Sequence, residues 1–282
     1  MKYTILLLFA FMPGLLKAQR LSADLYAGVA NYQGDLQGSR FTFSQAGAAI
    51  GLGASYRISN RFTGRAAFTF ARIAGNDKQN KEGKGVDLRN LNFKSNIWEL
   101  QLAAEFDIMD LEYHSFAPYI FAGGAVFRHN PFTFDSDNNK VFLKPLSTEG
   151  QGLAEYPDRK PYSLTQFAIP FGGGVKLRMS DRVQLAVEVG LRKLFTDYLD
   201  DVSTNYVDSS ILAAARGPLA AELAYRGDEL PQGGTYPDAG AQRGSPKHKD
   251  WYYTTGLKVS YRLGNGNGTG RNGAVGCPTN IF

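Results

Sequence analysis

The chain has 282 residues, a formal net charge of +5, three histidines and a single cysteine, Cys277. One cysteine excludes an internal disulfide framework. The basic residues are scattered rather than gathered into a patch or stripe, which excludes a nucleic-acid module, and no run beyond the N-terminus approaches the ~20 apolar residues of a spanning helix.

The N-terminus, MKYTILLLFAFMPGLLKAQ, has a basic start at Lys2 and an apolar run from Ile5 to Leu16, with Ala18 before Gln19. This pattern predicts a secretory signal peptide over residues 1–18. No cysteine follows the cut, so lipoprotein acylation is not expected. Removing Lys2 and Lys17 takes the charge from +5 to +3.

From Leu21 the chain alternates apolar and polar residues with period two, the signature of strands with one apolar face. Strands are predicted over Leu21–Ala30, Ala48–Ile58, Arg61–Ile73, Phe93–Ile108 and Phe116–Arg128. A hairpin follows from Leu164 to Phe195, turning at Ser180-Asp181, and a last strand runs over Trp251–Leu263. In the hairpin, Phe167, Ile169, Phe171, Val175 and Leu177 share a face, as do Val183, Leu185, Val187, Val189 and Leu191. These arms exceed the ~5–6 residues usual in soluble sheets and reach the ~9–11 that cross a bilayer at a tilt. Residues 19–264 therefore read as an all-β domain: a transmembrane up-and-down antiparallel barrel of about eight strands, followed by a flexible Gly/Asn-rich tail over 265–282.

Loop lengths support the same architecture. Long connections follow strands one, three, five and seven; short turns follow two, four and six. Membrane barrels have short periplasmic turns and longer external loops, so both termini are expected in the periplasm of a Gram-negative cell. Aromatics near strand ends (Tyr56, Phe62, Trp98, Phe106, Tyr119, Phe195, Trp251 and Tyr261) fit two interfacial girdles. A short helix, broken at Gly217-Pro218, is expected within Ser209–Tyr225 of the last long loop.

Little in the chain points to chemistry. A lipid-modifying enzyme would need a nucleophile, base and acid near the outer rim. His129, His248 and Ser163 fall near there without a motif to join them, and His114 falls in a periplasmic turn. DSDNN (Asp135–Asn139) begins like a calcium loop, but Lys140 stands where glycine is needed and Leu146 where glutamate is. Gly172–Gly174 opens no helix, so it is no phosphate loop; it is expected either to let the sheet bend or to make room for an aromatic ring of the adjacent strand. No catalytic, cofactor or metal residue is therefore assigned.

Arg57, Arg65, Glu99, Glu105, Lys176, Arg178, Glu188, Arg192, Lys258 and Arg262 fall on the inward face. An eight-stranded barrel has an interior just wide enough for side chains, so these residues should pair and plug the lumen. The candidate loop interaction surface is Tyr156, Pro157, Asp158, Arg159 and Lys160 with Asp197, Asp200 and Asp201. The first group reads either as an outward contact or as a cap over the mouth. The three acids read as a cation site or lipopolysaccharide bridge, as partners of loop Arg and Lys, or as solvated charges.

PLSTEGQGL and AEYPDRKPYSLTQFAIPFGGGVK, with LFTDYLDDVSTNYVD, lie within Pro145–Asp208. With NYQGDL (Asn31–Leu36), QRG (Gln242–Gly244) and DWYYTTG (Asp250–Gly256), they resemble the PorG-like family of outer-membrane barrels associated with the type nine secretion system. The resemblance implies an outer-membrane location; the chain is read as a monomeric barrel in contact with lipid and lipopolysaccharide. It also implies an accessory or anchoring role in secretion, through periplasmic lipoprotein and ring subunits. The alternatives are a lipid-modifying enzyme and an envelope-stabilising barrel with no secretion role.

Overall fold

A computed structural model describes residues 20–38, 42–79, 87–247 and 249–264. The expected leader, the expected tail and His248 lie outside them. Eight long strands form one antiparallel sheet: β1 (Leu21–Gln33), β2 (Gly47–Arg57), β3 (Phe62–Asn76), β4 (Asn92–Asp107), β5 (Phe116–Arg128), β8 (Thr165–Arg178), β9 (Val183–Leu194) and β10 (Trp251–Arg262). Each pairs with the next, and β1 closes on β10 from Ser22 opposite Arg262 to Gln33 opposite Trp251. The result is a closed up-and-down barrel. Closure leaves no sheet edge, the condition for a sheet to face lipid.

The alternation of each strand sorts side chains cleanly. Leu52, Leu102 and Phe167 point outward and are 67%, 65% and 69% exposed, whereas Arg65, Glu99, Glu105 and Lys258 point inward and are buried. Exposed apolar area costs ~25 cal/mol per Å² in water, so a belt of this size is stable only against acyl chains. No described helix is long and apolar enough to cross a membrane; the strands do so.

Three short turns share one end of the barrel. In two of them a serine sets the reversal: Ser59 Oγ accepts from the Phe62 amide at 3.1 Å and Ser180 Oγ from the Val183 amide at 3.1 Å. The hydroxyl mimics a backbone acceptor, which is how serine favours turns. In β8, a Cβ on Gly172 would stand 2.1 Å from the Val189 carbonyl oxygen and 3.0 Å from the Phe121 ring, and one on Gly174 2.1 Å from the Val187 carbonyl oxygen and 3.0 Å from the Tyr119 ring. Phe121 pairs with Gly172 and Tyr119 with Gly174, so these two glycines admit the close β9 backbone first and rings of the adjacent strand second. This placement also corrects one expectation. Tyr119 is 1% exposed inside the lumen and belongs to no girdle, because its position in the alternation faces inward.

The other end carries the long loops, which fold into a cap. Two three-residue strands, β6 (Phe132–Phe134) and β7 (Lys140–Phe142), form a hairpin that was not expected in the third loop. Three residues are too few for a period to register in the sequence. DSDNN is its turn: Asp135 Oδ1 accepts from the amides of Asp137 and Asn139 at 3.0 and 2.7 Å. Helices α1 (Ser209–Arg216) and α2 (Pro218–Ala224) are divided at Gly217 as expected. Asp208 caps α1 by accepting from the Ser210 and Ile211 amides. Leu153, Val207, Leu212, Ala220 and Ala224 form the cap's own core. A larger apolar cluster, including Tyr32, Phe93, Ile97, Phe127, Leu199 and Tyr252, joins the cap to the adjoining half of the lumen.

Leu102 lies midway along β4 between Trp98 and Phe106, at the middle of the apolar belt. Leu102→Arg should cost about 2–4 kcal/mol, the range for a charge at the bilayer midplane, measured by denaturant titration of the barrel folded into vesicles.

Candidate functional site

Two polar assemblies occupy the barrel. The first crosses the lumen. Glu105 is its hub: one carboxylate oxygen accepts from Arg65 at 2.9 Å and from Lys258, and the other meets Lys176 at 2.8 Å. Lys176 also donates to Asp107 at 2.7 Å. Arg65 reaches Glu188 through both terminal nitrogens, at 2.6 and 3.2 Å, while Tyr119 donates to Glu188 at 2.6 Å. A second layer lies nearer the cap. Arg192 holds Glu99 bidentately at 3.1 Å twice and donates to Thr254 Oγ1 at 2.7 Å; Tyr252 donates to Glu99.

Seven of the ten inward charges thus pair inside the wall or across it. Arg57 meets Glu112 at the short-turn mouth, at 3.1 Å. Asp107, Tyr119, Tyr252 and Thr254 complete the lattice without having been singled out as partners, since pairing across a lumen leaves no sequence signal. Beside the lattice lie cavities of about 30 Å³, room for two or three water-sized groups. The lumen is plugged.

The second assembly holds the four long loops together. Glu149 accepts from the amides of Ser203 and Thr204, the hydroxyls of Thr204 and Tyr198, and Arg243 at 3.0 Å. Arg243 also donates to the Asp201 and Ala224 carbonyls. Arg89 holds Asp77 at 3.0 and 2.7 Å and reaches the Asp35 carbonyl. Tyr32 donates to Asp200 and lies 3.3 Å from Asp250 Oδ1; Asp250 Oδ2 accepts the Leu199 amide at 2.9 Å.

The expected interaction surface divides between these facts. Asp197, Asp200 and Asp201 are no surface: they are 3%, 1% and 0% exposed. Ser203 donates to Asp197 at 2.7 Å, and Tyr162 and Thr148 donate to Asp201 at 2.6 and 2.5 Å. Their carboxylates serve as acceptors for hydroxyls and amides, which is why a run of acids reads misleadingly as solvated. Pro157, Asp158 and Lys160 are exposed, whereas Arg159 and Tyr156 are half-buried. Arg159 donates to the Glu149 and Asn205 carbonyls, and Tyr156 accepts the Asp208 amide. The stretch is therefore part of the cap, with an outward edge.

His129 is fully buried between Phe127 and Tyr162, with ring centroids at 5.6 and 6.2 Å, while Ser163 Oγ turns to the Thr165 carbonyl. The two do not form a nucleophile–base pair. Among the described residues no group of three or more His, Cys, Asp or Glu side chains is arranged to hold a metal ion.

Burial pushes Asp197 and Asp201 up to about 6, and Asp200 and Asp250 well above the usual carboxylate range. Burial lowers His129 to about 4.

A sequence model of the family described as "Domain of unknown function (DUF6089)" matches residues 1–216. The curated proteins contain no match. Among solved structures, Neisserial surface protein A (NspA) is similar at 12% identity and a TM-score of 0.41, covering 86% of this chain and 96% of its own. The outer membrane protein OprG from Pseudomonas aeruginosa is similar at 10% and 0.41, covering 86% and 97%. Ail of Yersinia pestis, in complex with the heparin analogue sucrose octasulfate, is similar at 8% and 0.40, covering 86% and 97%.

Glu105→Gln leaves Arg65, Lys176 and Lys258 short of a buried counter-charge and should cost about 3–5 kcal/mol, read as a lowered denaturant midpoint. The folded cap binds more protons than the unfolded chain at its raised acids, so its stability falls as pH rises from 3.8 to about 6. Burial raises Asp35 and Asp77 as well, so His129, which acts in the opposite direction over about 4 to 6.5, is one group against six. Hydrogen exchange of cap amides should therefore show less protection at pH 6 than at pH 4 after correction for intrinsic rates; constant or rising protection would contradict it.

Proposed function

This chain belongs to the DUF6089 family, and from that premise we propose that it is a non-conducting, non-catalytic outer-membrane barrel that works by contact. The observation that carries the reading is the plugged lumen. Glu105 and Glu99 hold the ion pairs of its two layers, so among the described residues neither a solute path nor a substrate chamber runs along the axis. What remains available is the belt, which anchors the protein in lipid, and the two ends of the barrel, which meet other molecules.

The finer reading is an accessory or anchoring component of a type nine-like secretion machine, with the long loops outside and both termini in the periplasm. It is supported by the resemblance of NYQGDL, PLSTEGQGL, LFTDYLDDVSTNYVD and QRG to the PorG-like family. The partners in this reading are lipid and lipopolysaccharide around the belt and cap, and lipoprotein or ring subunits on the periplasmic side. The barrel acts as a monomer.

Crosslinking in intact membranes, followed by identification of the captured proteins, should recover periplasmic secretion subunits, and deletion should impair export. Unimpaired export after deletion would overturn the secretion role and leave an envelope-stabilising barrel. Altered lipid A or phospholipid on deletion, restored by the wild type and lost again in His129→Ala, would overturn the non-catalytic reading.

A further inference from the structure

The short-turn mouth of the barrel carries more positive charge than its neighbours neutralise. Strand alternation turns Arg57, Arg178 and Arg262 toward the barrel axis there, and Arg20 lines the same opening. Glu112 and Asp181 are the acids that face them: the Glu112 carboxylate meets Arg57 at 3.1 Å, and Asp181 acts on Arg262 from the turn without an ion pair. Arg178 reaches the main-chain oxygen of Glu112 at 3.4 Å, and Arg20 that of Ile58 at 3.1 Å. Among the described residues, Arg20, Arg178 and Arg262 make no ion pair within 4.0 Å.

Behind this ring lies a vestibule of about 30 Å³, walled by Arg57 and Arg262 and by the hydroxyls of Ser22, Thr63 and Ser260. Its floor is Lys176 and Lys258, whose charges are answered by Glu105 and Asp107. The lining is rich in donors, and the space takes two or three water-sized atoms, the size of one carboxylate. Guanidinium groups recognise carboxylates through paired charge-assisted hydrogen bonds. Because these arginines face the axis, lipid headgroups around the outer rim do not reach them. The ring is also wider than the vestibule, so a single free anion answers only part of it. A chain bearing several acids answers all of it.

We propose that this mouth docks an acidic peptide segment of a periplasmic partner, one carboxylate of which enters the vestibule between Arg57 and Arg262. The side of the membrane rests on the orientation given under Proposed function; the chemistry of the mouth does not. The ring of like charge also steers an acidic partner from a distance, an effect that weakens with salt.

The test uses the full-length protein in zwitterionic nanodiscs and a fluorescent ten-residue glutamate peptide, with a glutamine peptide as control. Anisotropy should show binding of the glutamate peptide alone, weakened by salt. The double variant Arg57→Gln/Arg262→Gln should lose roughly tenfold or more in affinity, the scale of one or two charge-assisted hydrogen bonds. Lys140→Gln, at the opposite end, should change nothing. Equal binding of both peptides, or unchanged affinity in a double variant that still folds, overturns the proposal. Displacement of the peptide by an equal concentration of inorganic phosphate would show a free-anion site and overturn the peptide assignment. Orientation is read separately, from Ser59→Cys in a Cys277→Ser background. It should react with an impermeant maleimide only after the outer membrane is permeabilised. Labelling in intact cells would remove the periplasmic partner while leaving the mouth's peptide binding to stand or fall in nanodiscs.

Discussion

A sheet surrounded by hydrocarbon must pair every backbone amide and carbonyl within itself, because no water is there to do so. Closure of β1 on β10 meets that condition, and much else follows from it. A closed sheet with period-two alternation has one face outside and one inside. The outside, with Leu52, Leu102 and Phe167, suits acyl chains. The inside of eight strands is too narrow for bulk water, so inward charges must find one another. Glu105 answers Arg65, Lys176 and Lys258 at once for this reason. Such a lattice is weak evidence for extra stability, since desolvation offsets the attraction; removing one member is what is costly.

The cap solves a different problem. Four loops must be held over the mouth with only a small apolar core of their own. Polar groups therefore carry the joining: Glu149 with Arg243, Asp77 with Arg89, and the Tyr32 hydroxyl beside Asp200 and Asp250. The stretches resembling the PorG-like family converge here. Tyr32 and Asp35 come from NYQGDL, Thr148 and Glu149 from PLSTEGQGL, Asp197, Asp200 and Asp201 from LFTDYLDDVSTNYVD, Arg243 from QRG and Asp250 from DWYYTTG. The residues just named line the cap's interior, whereas Pro157, Asp158 and Lys160 of AEYPDRKPYS stay on its outward edge.

What could be read from the chain follows from how local each signal is. Alternation in LTQFAIPFGGGVKLRMSDRVQLAVEVGLRKLF is continuous over many residues, so the strands, their faces and the turn at Ser180 are legible. The inward assignment of Glu105 and Lys258 comes from the same parity. Their pairing across 153 residues does not, since parity fixes a face and not a partner. Tyr119 was misread because nearness to a strand end was weighed above its parity. Asp197, Asp200 and Asp201 misled because acids are seldom buried, and the hydroxyls that donate to Asp200 and Asp201, those of Tyr32, Thr148 and Tyr162, come from distant parts of the chain. The hairpin of Phe132–Phe142 was invisible because its arms are too short to show a period.

The claim beneath all of this is that the outward face is solvated by acyl chains. Trp98, 48% exposed and stacked against Phe68, reports on it directly once Trp251→Phe has removed the other indole. In vesicles of lipids brominated along their acyl chains, Trp98 emission should be strongly quenched, while acrylamide in the water should have little effect. Strong quenching by acrylamide with none from the brominated lipid would place this face in water and contradict the membrane barrel.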